Sequence, residues 1–68
     1  MELLYDSLDE RALSLGAIQA LVDETELPFW EVRRTYEREF ARLKSSARVK
    51  DYIVVLASRR ARESLGRT

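Results

Sequence analysis

The sequence predicts an all-α fold, a small three-helix bundle with a helix-turn-helix-like hairpin and an N-terminal arm or short extra helix. Helix-forming residues dominate the 68 positions, and only one proline and two glycines interrupt them. Apolar residues recur at spacings of three and four, the period of one helix face. The length allows one domain. We therefore expect residues 1–68 to form a single unit, with an arm at 1–13 and a helical core at 14–66.

The first helix signal lies close to the N-terminus. Ser7 and Glu10 match a capping box, in which the serine hydroxyl accepts a hydrogen bond from the amide three residues later. A short helix over 8–13 follows from it. Gly16 disfavours a continuous helix, so we expect a second helix over 14–24, capped by the serine that begins it.

The clearest turn in the chain is the segment 25–28, which ends in Pro28. Proline disfavours helical geometry in the residue before it and is tolerated in a first helical turn. The next helix is therefore predicted to open near Pro28. Its apolar stripe is the most regular in the sequence, consisting of Phe29, Val32, Tyr36, Phe40 and Leu43.

The last helix is predicted to be separate from the second. Adjacent serines at 45 and 46 compete for backbone hydrogen bonds and weaken the helix there. We place the N-cap of the last helix at Asp51 and its end before Gly66. A single bent helix from Pro28 to Leu65 is the alternative. The run 52–57 is apolar all round, which indicates a central helix or a second face buried against a partner.

The predicted core collects the apolar residues at these helical spacings. Its main members are Leu15, Ile18, Leu21, Val22, Leu27, Phe29, Val32, Tyr36, Phe40, Leu43, Ile53 and Leu56. On the last helix, Ala57, Ala61 and Leu65 are expected to face the same interior.

The formal net charge of zero conceals a division of charge along the chain. Residues 1–32 carry eight acidic groups and one basic group, whereas residues 33–68 carry eleven basic and four acidic groups. The arginine-rich half could face phosphate or an acidic partner. Alternatively, the two halves could neutralise each other within a subunit or across a dimer. We favour the second interpretation, because dedicated nucleic-acid binders usually carry net positive charge.

The composition excludes several classes of function. The chain has no cysteine and no histidine, so disulfides, ordinary structural zinc sites and histidine-assisted nucleophiles cannot be built. Two glycines cannot form a phosphate-binding glycine loop. We expect no enzyme, no cofactor and no metal. The N-terminus lacks a signal-peptide pattern and no apolar run could span a membrane, so a cytoplasmic protein is expected.

Two groups of residues are candidate contact sites. The segment 18–36 has the spacing of a DNA-binding helix-turn-helix, although a plain helical hairpin is the favoured interpretation. The candidate contacts to nucleic acid or an acidic partner are Arg33, Arg34, Arg38, Arg59, Arg60 and Arg62. For the last three, a solvated helix end that complements the helix dipole is the favoured interpretation. The candidate protein interface is Trp30, Tyr52, Val54 and Val55. Trp30 could equally be half-buried against the N-terminal arm.

These observations favour a non-enzymatic binding module. Protein–protein interaction or homo-oligomerisation is the main prediction, because small domains without disulfides or metals commonly gain stability from a partner subunit. A nucleic-acid-binding regulator is the alternative. The expected partner is a second copy or another protein, with nucleic acid possible and no membrane.

Three short segments resemble a family of short bacterial proteins catalogued as domain of unknown function 3562. They are the pattern Ile18, Leu21, Glu24, Thr25, Leu27, Pro28, Val32, Tyr36 and Glu37, the run 47–52, and the run 59–63. The resemblance spans about residues 18–65. It implies a bacterial origin and a helical fold, and it supplies no activity, substrate or site residue.

Overall fold

A computed structural model shows three α-helices and describes Tyr5, residues 7–46 and residues 52–66. The helices are α1 (Leu8–Thr25), α2 (Phe29–Ser46) and α3 (Ile53–Leu65). They pack into a bundle with a Cα radius of gyration of 11.3 Å, and the described residues contain no strand. The predicted all-α three-helix bundle is confirmed.

Helix α1 is continuous over 18 residues and begins where the capping signal predicts. Ser7 is extended, and its Oγ accepts a hydrogen bond from the Glu10 amide at 3.1 Å. The predicted break near Gly16, with a new cap at Ser14, is wrong. A glycine lowers helix stability by only about 1 kcal/mol. Burying one large aliphatic side chain such as Ile18 outweighs that, at about 1.5–3 kcal/mol.

The turn between α1 and α2 is built on a left-handed residue. Glu26 has φ 60° and ψ 21°, and its N–H donates to the Val22 carbonyl at 2.8 Å. Thr25 Oγ1 donates to the Leu21 carbonyl at 2.7 Å and accepts from the Leu27 amide at 3.3 Å. Glycine commonly occupies this position at a helix end, because a side chain disfavours positive φ.

Helix α2 begins directly after Pro28, whose carbonyl accepts from the Glu31 and Val32 amides. The predicted start is therefore confirmed. The helix ends at Ser46, and α3 begins at Ile53 with Tyr52 as its N-cap residue, which makes no side-chain capping bond. The predicted cap at Asp51 lies outside the described residues.

Helices α2 and α3 run side by side in opposite directions, which excludes one bent helix. Arg38 Nη2, midway along α2, donates to Ser64 Oγ, near the end of α3, at 3.2 Å. Arg42, one turn further along α2, shares a groove with Arg60, one turn earlier on α3. The predicted break after the serine pair is therefore correct.

Cross-helix contacts also fix the direction of α1. The Tyr36 hydroxyl donates to Ser14 Oγ at 2.8 Å, and Lys44 Nζ lies 4.0 Å from Glu10 Oε1. These pairs make α1 antiparallel to α2. Arg62 near the end of α3 bonds Glu24 near the end of α1, so α1 and α3 are parallel. The bundle is thus up-down-up.

Most of the predicted core is confirmed. The buried apolar residues are Ile18, Leu21, Val32, Tyr36, Phe40, Leu43, Ile53, Ala57, Ala61 and Leu65. Val22, Leu27 and Leu56 are half-buried and pack against them.

Two predicted core residues are wrong, since Leu15 and Phe29 are each 42% exposed. Ser14 faces the interior in line with Ile18, so Leu15 is turned about 100° away from it. Phe29 lies at the end of the bundle. The C-terminal end of α3 lies beside Arg38, and Phe29 is about 13 Å further towards the start of α2, where α3 does not cover it.

In the part of the chain that the structure describes, no helix is long and apolar enough to cross a membrane.

Candidate interaction surfaces

The predicted arginine contacts lie on different sides of the bundle. Arg33 Nε binds Glu37 Oε2 at 3.1 Å on α2, and Arg34 is exposed. Arg38 lines the groove between α2 and α3 together with Arg60. The remaining two, Arg59 and Arg62, line the groove between α1 and α3. The structure therefore divides the six predicted arginines between several surfaces.

The groove between α2 and α3 is polar and has a volume of about 320 Å³. Its charged lining consists of Arg38, Arg42, Arg60, Glu39 and Glu63. Glu39 is buried, and its Oε2 lies 3.7 Å from Arg38 Nε and 3.9 Å from Arg42 Nη1. Two carboxylates thus offset most of the charge of three guanidinium groups. Sequence reasoning missed Arg42 and Glu39. Arg42 lies four residues after Arg38 and therefore on the same side of α2, which was the available signal.

The groove between α1 and α3 has a volume of about 310 Å³ and combines an apolar part with the polar side chains of Ser58, Arg59 and Arg62. Ala17 lines it from α1, and Val54, Val55 and Ser58 line it from α3. Leu13 lies one helical turn before Ala17 and is 63% exposed, while Val55 is 58% exposed. We call Leu13, Gly16, Ala17, Ala20, Val54 and Val55 the α1–α3 face.

The four predicted interface residues divide between this face and other places. Val54 and Val55 belong to the α1–α3 face, and Val54 also packs against the core. Tyr52 is exposed just before α3, and Trp30 is exposed in the first turn of α2. The alternative burial of Trp30 against the N-terminal arm does not occur at Tyr5, whose ring packs on Phe40 instead; Leu3 and Leu4 lie outside the described residues.

The acidic and basic halves of the sequence meet across helix interfaces. Arg62 Nε lies 3.0 Å from Glu24 Oε2 between α3 and α1, and Lys44 reaches Glu10 between α2 and α1. Each pair joins the acidic first half to the basic second half. This geometry fits neutralisation within one subunit. Because the Arg62–Glu24 pair is about half exposed, it contributes at most about 1 kcal/mol.

A buried cluster of hydroxyl groups lies between α1 and α2. Tyr36 is fully buried, and its hydroxyl bonds Ser14, which is also fully buried. Burial raises the pKa of Tyr36 to about 12, against the opposing effect of the Ser14 hydrogen bond. Sequence reasoning missed this role of Ser14. Its position four residues before Ile18 and seven before Leu21 was the available signal.

The Tyr5 ring closes the same cluster and meets Phe40 edge-on, with 5.0 Å between ring centroids. Its hydroxyl is buried and has no hydrogen-bond partner among the described residues. Burial raises the pKa of Tyr5, and the nearby Ser14 hydroxyl opposes that rise. No hydrogen bond of acceptable geometry joins these two hydroxyls. In the described ranges, no three acidic side chains gather closely enough to hold a metal ion.

The hairpin of α1 and α2 differs in geometry from a DNA-binding helix-turn-helix. Glu10 and Lys44 each lie about 22 Å from the turn, yet their charged groups are 4.0 Å apart. The helices of a helix-turn-helix motif cross at about 90–120°, and that angle would keep the charged groups of Glu10 and Lys44 more than about 20 Å apart. The two helices therefore lie close to antiparallel along their whole length.

A comparison with protein-family models matches residues 11–68 to Protein of unknown function (DUF3562). The chain belongs to the DUF3562 family. The match confirms the resemblance and covers most of α1 and all of α2 and α3. The DUF3562 domain is thus the bundle itself, both grooves included. Searches of curated proteins and of solved structures gave no significant match.

Proposed function

We propose that this DUF3562 domain is a non-enzymatic binding module whose partner is a second copy of itself. The observation that carries the proposal is the α1–α3 face, where Leu13 and Val55 are exposed and Val55 lines a groove together with Ala17 and Val54. Burial of apolar surface is favourable by about 25 cal/mol per Å². A partner that covers this face would bury the exposed surface of both side chains, and this burial would favour binding. The proposal includes a cytoplasmic location, which suits a chain without cysteine.

A second copy is the occupant that the size and charge of the domain favour. A domain of about 60 residues buries only about 60% of its unfolded surface, so association adds stability that its core lacks. A standard interface takes about 800 Å² from each partner, roughly a sixth of the 5204 Å² that this chain exposes. One face of the bundle is therefore large enough to form a standard interface. Because the net charge is zero, two copies do not repel each other strongly.

Sedimentation equilibrium from micromolar to millimolar protein tests the proposal. The wild type should shift from monomer to dimer, and Val55→Lys should remain a monomer because a charge then lies in the buried interface. Leu8→Lys is the matched control. Leu8 is exposed and lies about 140° around α1 from Leu13. A wild type that stays monomeric at millimolar concentration, or equal effects of the two lysines, would refute the proposal.

Nucleic-acid binding is a second candidate, favoured by one row of arginines. Arg34, Arg38 and Arg42 recur every fourth residue along α2, about 6 Å apart, and Arg60 lies across the groove from the last two. Duplex DNA titrated at increasing salt tests it. Arg38→Gln should reduce the salt dependence by about one phosphate contact, whereas Arg33→Gln, on another side of α2, should not. Absence of binding at low salt would exclude this candidate.

A further inference from the structure

Two arginines lie at the same level on opposite walls of the groove between α2 and α3. Arg38 Nη2 donates to Ser64 Oγ at 3.2 Å, and this bond fixes the register of the two antiparallel helices. One turn from the bond, about 6 Å along the bundle axis, Arg42 on α2 lies level with Arg60 on α3. Both side chains line the groove, so their guanidinium groups face the same space.

Arg60 carries a positive charge that the described part of the chain does not pair. Its side chain is exposed, and among the described residues it forms no ion pair and no side-chain hydrogen bond. Glu63, three residues later on α3, lines the same groove, yet these two described residues make no ion pair with each other. The N–H donors of the Arg60 guanidinium group are therefore available to a ligand.

A buried carboxylate draws Arg42 towards the same groove. Glu39 is buried, and its Oε2 lies 3.9 Å from Arg42 Nη1 and 3.7 Å from Arg38 Nε. Because a buried charge is costly without a charged partner, Glu39 favours this position of the Arg42 side chain. The contact occupies one edge of the Arg42 guanidinium group and leaves its other N–H donors available.

The facing guanidinium groups favour an anion between them. Two like charges at the same level repel each other, and a bound anion would replace that repulsion by two attractions. The charged side chains that line the groove are three arginines and two glutamates, so a net positive charge remains. A tetrahedral phosphate presents oxygens to both walls at once, whereas a planar carboxylate matches the fork of a single arginine.

We propose that the groove between α2 and α3 binds a phosphate group between Arg42 and Arg60. The groove volume of about 320 Å³ leaves room for such a group. The phosphate belongs to a small phosphate ester or to the backbone of a nucleic acid, since both present similar oxygens to the two arginines. The site lies between a different pair of helices from the α1–α3 face, so the inference does not depend on self-association.

An NMR titration with inorganic phosphate tests the site, with chloride at equal ionic strength as the reference. The Nε–H signals of Arg42 and Arg60 should shift and saturate with phosphate but not with chloride. Arg42→Gln and Arg60→Gln each remove charge-assisted hydrogen bonds, so the dissociation constant should rise at least about tenfold. Arg59→Gln is the matched control, because Arg59 is exposed on α3 and lines the other groove, and it should leave the dissociation constant nearly unchanged. Circular dichroism checks that the variants are folded.

Methyl phosphate and dimethyl phosphate distinguish the two sources. Tighter binding of methyl phosphate assigns the site to a phosphate monoester, whereas equal or tighter binding of dimethyl phosphate assigns it to the diester backbone of a nucleic acid.

The absence of a saturable shift with inorganic phosphate would overturn the proposal, and so would equal weakening by Arg59→Gln and Arg60→Gln. Val55→Lys, which should be monomeric, should bind phosphate as tightly as the wild type. A failure of self-association would therefore leave this site standing, and a failure of phosphate binding would leave the proposed function standing.

Discussion

At the scale of single residues, the unusual part of this domain is its buried hydroxyl cluster. Ser14 and Tyr36 are both fully buried and are joined by a hydrogen bond between their hydroxyl groups. Tyr5 adds a third hydroxyl that has no partner among the described residues. A buried polar group without a partner lowers stability by about 1–3 kcal/mol. Removal of the hydroxyl group should therefore affect the stability of the domain differently at Tyr5 and at Tyr36.

The raised pKa of Tyr36 predicts a loss of stability at high pH. Below pH 10 the phenol is neutral in both the folded and the unfolded state, so ionisation of Tyr36 does not lower the free energy of unfolding. Between pH 10 and 12 the unfolded phenol ionises while the folded one stays neutral. The free energy of unfolding should therefore fall by about 2–3 kcal/mol, measured by urea titration across this range. Tyr36→Phe should show a smaller fall, and an identical fall would contradict the assignment.

Removing the Tyr5 hydroxyl should stabilise the domain. Tyr5→Phe keeps the edge-on contact with Phe40 and deletes the buried polar group, so the free energy of unfolding should rise by about 1 kcal/mol. Thermal unfolding measures this as a higher Tm. Tyr52→Phe, at an exposed tyrosine, is the control and should leave Tm unchanged. A lower Tm for Tyr5→Phe would show that its hydroxyl is satisfied.

At the scale of helices, the structure departs from expectation in α1. Alanine at position 16 should strengthen this helix, because Gly16 has helical geometry and free space around it. Gly16→Ala should raise the free energy of unfolding by about 0.5–1 kcal/mol. The measurement belongs at low protein concentration, where association does not contribute. Ala20→Gly should lower it by a similar amount, and a destabilising Gly16→Ala would contradict this account.

The helix ends that could be predicted from the sequence are those determined by interactions between residues close together in the chain. The Ser7 cap and the Pro28 start depend on groups within one turn, and both were predictable. The buried position of Ser14 depends on Tyr36, 22 residues away, because Ser14 Oγ accepts a hydrogen bond from the Tyr36 hydroxyl. Leu15 is exposed as a result of that pairing. The α1–α3 face was missed in part because the direction of α1 relative to α3 is set by contacts such as Glu24 with Arg62.

At the scale of the whole molecule, stability depends on one small core. Phe40 is fully buried and contacts the rings of Tyr5 and Tyr36, with Lys44 Nζ 5.9 Å from its centroid. It joins the N-terminal segment to the middle of the bundle. A domain of this length has a total stability of only about 3–10 kcal/mol.

Phe40→Ala should therefore unfold most of the population at room temperature. The expected loss is about 3–5 kcal/mol, followed by circular dichroism during thermal and urea unfolding. Phe29→Ala is the control, because Phe29 is 42% exposed, and it should lose much less. A Phe40→Ala variant that melts close to the wild type would refute the core described above.

The Arg62–Glu24 pair has a further consequence at the end of the bundle where α1 and α3 both terminate. Each helix carries a macrodipole with partial negative charge at its C-terminus, and parallel neighbours bring two such ends together. The last turn of α1 has Asp23 and Glu24 but no basic residue of its own. Arg62, in the last turn of α3, supplies one guanidinium group to both ends. A cation that α1 lacks and α3 provides thus favours the parallel packing of α1 and α3.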